Sequence, residues 1–296
     1  MTDFPNAPGK VALQSEPRMH MPETSTSTAI SNHRELGPSA DDILTISAIS
    51  IVAGILTNIL HEGVGHGLTA LVTGAQSGVL TTVAWSSTFD SRLVEAGGTL
   101  VNLAAGLLFW VVLGRAKHAS NRTRYFLLIT CAFNLFTGTG YLFFSGVTNF
   151  GDWAAVISGL HAHWLWRALL VVVGVCSYYG AVLVVGIGLV RYVKIPRDQQ
   201  GRLRKLTLVP YISAILLASI AGVLNPLGIQ LVWQSALPAT AGGQSGMLWL
   251  QYYIPRETAP TAAAGWLQRD YTWIVAAAIL GIVYVAVLGR GVTLHW

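Results

Sequence analysis

Six apolar runs constrain this chain more than any other feature. They lie near residues 43–73, 94–114, 124–145, 164–190, 206–224 and 271–289. Each is long enough to cross the hydrocarbon core of a bilayer as a helix. A segment in lipid must satisfy its backbone hydrogen bonds internally, so runs of this kind fold as helices. The charge content agrees, at 10% of residues against 53% hydrophobic, where a soluble domain carries about 25% charged residues. The expected fold is an all-α polytopic membrane protein with about six transmembrane helices. A short β-prone segment, GVLTTVAWSS at 78–87, separates the first two. The first run exceeds a single crossing, so its end is expected to tilt or break.

The net charge of +5 is concentrated in two loops, 115–124 and 191–205. It therefore reports topology and gives no reason to expect a nucleic-acid partner. The positive-inside rule assigns both basic loops and both termini to the cytoplasm, with the bacterial inner membrane as the expected location. Loops 74–93, 146–163 and 225–270 then face outward, the last as a loop or lid containing SALPATAGGQSG (235–246). Residues 1–42 are polar and rich in Pro, Ser and Thr, and read as a disordered cytoplasmic tail. The remainder divides into a core at 43–160 and additional helices at 161–296. Cys131 and Cys176 sit inside apolar runs and read as small packing residues.

Among the thirteen Asp and Glu, Glu62, Glu95 and Asp152 fall in or beside the apolar runs at a common outward depth. An ionisable group kept at membrane depth is expensive and is by default a functional candidate. Glu62 belongs to LHEGVGHGLT (60–69), where His61 and His66 flank it five residues apart. The common zinc helix spaces its histidines by four, which stacks them on one face. Five steps rotate the second ring roughly 140° from the first in a regular helix. One inserted residue makes a π-bulge, which restores the alignment. Gly63 and Gly65 place no side chain against such a distorted turn.

Zinc chemistry needs two neutral imidazoles, a third protein ligand and an unligated carboxylate to take a proton from water. Glu62 has the type and position for the last role. For the third ligand Asp152 competes with Glu95, with a histidine or water as further options. His161 and His163, two apart, do not share a helix face. The ordinary readings are a glycine-rich packing helix for 60–69, a solvated interface carboxylate for Glu95 and a helix cap for Asp152.

The HE-x-x-G-H form is similar to the variant zinc motif of dipeptidyl peptidase III, in which both histidines bind zinc. The wider layout resembles the site-2 protease class of intramembrane zinc metalloproteases. LHEGVGHGLTALVTG resembles that family's zinc helix, and GVLTTVAWSS its extended region. GGTLVNLAAG, with Gly98 and Asn102, resembles its second-helix packing motif, and NFGDW its aspartate motif. Asn134 stands eighteen residues ahead of Asp152, farther than in the family pattern. The resemblance covers roughly residues 43–160. It implies zinc held by His61, His66 and Asp152, with Glu62 as catalytic base, Gly98 and Asn102 as support, and a membrane-spanning or membrane-adjacent peptide as substrate. Two other functions fit the same residues: a zinc-dependent membrane lipid amide hydrolase, and an inactive protease-like scaffold that binds membrane helices.

Overall fold

In the computed structural model, residues 40–193, 200–225, 230, 232–253 and 265–296 are described, and all belong to one unit spanning Ser39–Trp296. The expected tail lies outside the described residues, apart from its last three positions. Six helices are long and apolar enough to cross a membrane: α1 (Ile43–Thr73), α2 (Arg92–Arg115), α3 (Asn121–Thr148), a pair separated by the short α4 (Asp152–Val156), namely α3 and α5 (His163–Val193), then α6 (Gln200–Val223) and α8 (Tyr271–Ala286). The fold is helical apart from one small sheet. Helix starts follow ordinary capping chemistry: the side chains of Asp42, Ser91, Ser120 and Asp270 accept hydrogen bonds from first-turn backbone N–H groups.

Helix α3 is the most buried of the six and forms the centre of the bundle. It meets α2 through reciprocal notches, where Leu135 fills the space beside Gly106 and Leu103 the space beside Gly138. Small residues allow this close approach, which packs helices in an environment as apolar as their own side chains. Helix α5 packs along α3, and later described segments wall the cavity described below.

The helix ends sort into two groups. At one end the starts of α1, α3, α6 and α8 meet through charge pairs: Asp41–Arg202 at 2.6 Å, Asp42–Arg269 at 2.9 Å and Arg122–Asp270 at 3.1 Å. At the other end β1 (Ser77–Leu80) follows α1 and forms a hairpin with β2 (Trp85–Ser87). Strand β3 (Val292–His295), which follows α8, pairs antiparallel with the other edge of β1. This strand was not expected from the sequence.

Part of the expected outer loop 225–270 is described as helical structure packed within the bundle. Val232–Tyr253 is an irregular helical segment: π-helical at Val232–Ala236 and Pro238–Gly242, 3₁₀ at Gly243–Ser245, then helix α7 (Gly246–Tyr253). It starts at the sheet end, where Ser235 Oγ donates to Val83 O at 3.0 Å. It passes mid-bundle, where Gln244 Nε2 donates to Thr137 Oγ1 (2.8 Å) and Phe133 O (3.2 Å). It continues toward the charged end, with Tyr253 beside Gly186. Gly265 then packs on Asn121 there. Non-helical or strained backbone is tolerated at this depth because it is buried in protein and lines a cavity. The segment crosses the bundle beside the six long helices, so residues 41 and 296 lie at opposite ends of it.

Candidate metal centre

The distorted turn foreseen in α1 is a run of π-helix over Ile59–Leu68. Its wider ladder brings His61 and His66 to one face, with their rings edge-on and 4.9 Å apart between centroids. The two glycines inside it differ in role. A Cβ on Gly65 would strike the backbone of Gly97 and Gly98 in α2, so the close approach of the two helices depends on it. A Cβ on Gly63 would meet nothing nearer than 3.8 Å. Gly63 thus plays no part in the approach of a neighbouring helix.

Asp152 arrives from the third side. Asn149 ends α3 in the left-handed conformation (φ 55°), and Gly151, with φ 82°, turns the chain back so that α4 begins over the histidines. Only glycine adopts the Gly151 conformation (ψ −170°) readily. Asp152 Oδ2 stands 3.3 Å from His61 Nε2 and 3.5 Å from His66 Nε2, and the two Nε2 atoms are 3.3 Å apart. All three side chains are largely or wholly buried.

The remaining ring nitrogens decide the tautomers. His61 Nδ1 is 2.5 Å from Asn102 Oδ1. The Asn102 amide is oriented by its own donors, since Nδ2 reaches Asn134 Oδ1 at 2.8 Å and Thr57 O at 3.3 Å. His66 Nδ1 is 2.7 Å from Val94 O. Both partners are acceptors, so each Nδ1 carries the proton and each Nε2 presents a lone pair. Asp152 Oδ2 has no other hydrogen-bond donor. Three lone-pair atoms thus converge on one point, an arrangement that repels itself unless a cation sits there.

The space fits that reading. Two ligands bound at about 2.1 Å with a tetrahedral angle stand about 3.4 Å apart, close to all three observed edges. Gly98 supplies the room: a Cβ built there would lie 2.7 Å from His61 Nε2 and 2.6 Å from His61 Cε1, and nearer still to His66 Nε2. The donors His61, His66 and Asp152 can hold a metal ion. Glu95 is not among them. It lines the neighbouring cavity, hydrogen-bonded to Asp90. His163 turns away, with Nε2 2.9 Å from Asn149 Oδ1. Arg167 donates to Gly146 O and Val147 O at the end of α3.

Glu62 is buried beside the cluster, and its carboxylate accepts from the backbone N–H of Trp85 on β2. It lines a cavity of ≈ 790 Å³ together with His66 and Asp152. The cavity runs from the β2 edge and the ends of α3 down between α5 and α7, reaching Val182, Trp249 and Tyr253. Its charged lining residues are Glu62, Asp90, Glu95 and Asp152, without a lysine or arginine among the described residues. Sequence reasoning missed Tyr141, whose ring lies 5.0 Å from that of His61, as well as Ser235 and Gln244. Asn134, seven residues before Tyr141 on the same helix face, was the available signal for the first.

No protein-family model matches this chain, and no curated protein or solved structure matches it either.

Proposed function

We propose that the protein is a membrane-embedded zinc metalloprotease resembling the site-2 protease class, which hydrolyses peptide bonds of membrane-spanning or membrane-adjacent substrates. The observation that carries this reading is the convergence of three lone-pair donors, His61 Nε2, His66 Nε2 and Asp152 Oδ2, beside an unligated buried carboxylate, Glu62. A zinc ion held by those donors supplies Lewis acidity: it polarises a carbonyl and makes a nearby water easier to deprotonate. Glu62 takes the proton of the attacking water and delivers it to the leaving nitrogen. Asn102 and the Val94 carbonyl keep both imidazoles in the tautomer that leaves Nε2 free.

Strand β2 favours a peptide over a lipid amide. It is an edge strand of the sheet, and Trp85, Ser86 and Ser87 line the cavity. A helical peptide bond is protected by its own hydrogen bonds, and adding the substrate as a strand along β2 holds it extended. The carboxylate-rich wall also disfavours a phosphate-bearing substrate, which it would repel.

The test is cleavage of apolar single-span peptides by purified protein in liposomes. The reading requires chelator-sensitive hydrolysis restored by zinc; hydrolysis insensitive to chelation, or none across a broad peptide set, removes it. Orientation follows from the charged end, where the basic loops cluster. With that end cytoplasmic, the metal centre lies in the outward half, and residue 296 is outside. A reporter active only in the cytoplasm is thus expected to be silent when fused after Trp296 and active when inserted at 118. Activity at both positions would contradict the added crossing.

A further inference from the structure

Each hydrolytic turnover consumes one water, yet the candidate site is walled by α1, α2, α3 and the sheet, and its large cavity is mainly apolar. A second, smaller cavity of ≈ 80 Å³ lies behind the site, between α1, α3, α6, α8 and the irregular crossing. Asn58, Thr82, Thr240 and Gln244 are among its lining residues. Two of these carry buried polar atoms without a hydrogen-bond partner among the described residues: Thr82 Oγ1 and Gln244 Oε1. Each residue is only 4% exposed.

The orientation of Gln244 follows from its neighbours. Both hydrogens of its Nε2 are engaged, by Thr137 Oγ1 and Phe133 O. Turning the amide over would set its oxygen against those acceptors, so Oε1 stays the atom without a partner. Buried amide oxygens and hydroxyls left without a protein partner are normally satisfied by ordered water. The volume is several times the ~10–15 Å³ that one water centre requires.

The two cavities share a partition. Glu62, Val83, Tyr141, Ser235 and Ala239 line both. His61 faces the small cavity, whereas His66 and Asp152 face the large one. Glu62 therefore has one side toward the large cavity and one toward the small one. Ser235 ties the partition to the hairpin by donating to Val83 O.

We propose that the small cavity is a water chamber, held by Thr82 and Gln244, that feeds the attacking water to Glu62 from the side opposite the substrate. Its supply role rests on the hydrolase reading above; its existence does not. The chamber lets substrate fill the apolar cavity without cutting the site off from water.

Hydroxyl-radical footprinting of the full-length protein in ¹⁸O-labelled water tests this, because internal waters activate the side chains beside them. Tyr284 and Phe133 line the chamber and are 3% and 1% exposed. Tyr125 and Phe136, equally buried at 0%, line neither cavity and serve as controls. Tyr284 and Phe133 are expected to be labelled at least about fivefold faster than the controls, with and without zinc. In Thr82→Val with Gln244→Met, labelling is expected to fall to the control level. The doubly substituted protein should keep its melting temperature and zinc content but lose kcat with KM unchanged. Tyr284 and Phe133 labelled no faster than the controls would overturn the chamber, whatever the chemistry. Labelling lost in the variant without a loss of kcat would overturn the supply role. Labelling as expected in a protein that hydrolyses no peptide would leave the chamber in place and remove the hydrolase reading on its own.

Discussion

Replacing Glu62 with glutamine is expected to lower peptide hydrolysis by about 10²–10⁴-fold, the range for loss of a general acid–base group. Zinc content should be unchanged. Glutamine has nearly the same shape, and its amide oxygen can still accept from the Trp85 N–H that binds the carboxylate. What it cannot do is take a proton from water and pass it on. Because Glu62 is not one of the three converging donors, the metal site should survive intact. The pair of readouts separates the functional readings: a variant with full metal and full activity would show that another group is the base. A wild type that binds metal but hydrolyses neither peptides nor lipid amides would favour the scaffold.

Gly98→Ala is the second large effect, and it needs no ligand to be removed. The added methyl would occupy the space between His61 Nε2 and His66 Nε2. Metal affinity is expected to fall at least about 10–100-fold, as for disruption of a ligand's immediate support, while the helical content is kept. Two neighbouring glycines provide the contrast. Gly65→Ala pushes a methyl into the backbone of Gly97 and Gly98, so it should destabilise the fold itself by about 1–3 kcal/mol or more. Gly63→Ala meets nothing within 3.8 Å and should be near neutral in both assays. Equal loss of metal in all three would mean that the π-helical turn tolerates no substitution, and that Gly98 has no special place in it.

The parts of the site legible in the sequence were those written as local chemistry. The HEGVGH spacing demanded a distorted turn, and Ile59–Leu68 is π-helical. Asn102 was expected as support for the site, and its Oδ1 meets His61 Nδ1. Between Asp152 and Glu95, one outward depth suited both, and only the turn at Asn149–Gly151 selects Asp152. What remained hidden depended on partners far away in the chain. Residues 232–253 hold Pro238 and a run of Gly and Ser, which break the apolar pattern that marks a span. Its backbone is acceptable only because α3, α5 and α6 surround it, with Tyr178, Tyr211 and Phe133 taking up its polar groups. MLWLQYY (247–253) was the one signal that the long loop was not a loop. Strand β3 is four residues long and exists by pairing with β1, more than two hundred positions earlier. Such a pairing leaves no trace in local periodicity.

The most direct measurement is the metal content of detergent-purified protein by mass spectrometry, for wild type, His66→Ala, Asp152→Ala and Glu95→Ala. A centre built from His61, His66 and Asp152 should give about one zinc per chain in the wild type and in Glu95→Ala, and far less in the other two. Absence of zinc from the wild type after reconstitution, or its loss on removal of Glu95 but not Asp152, would contradict it.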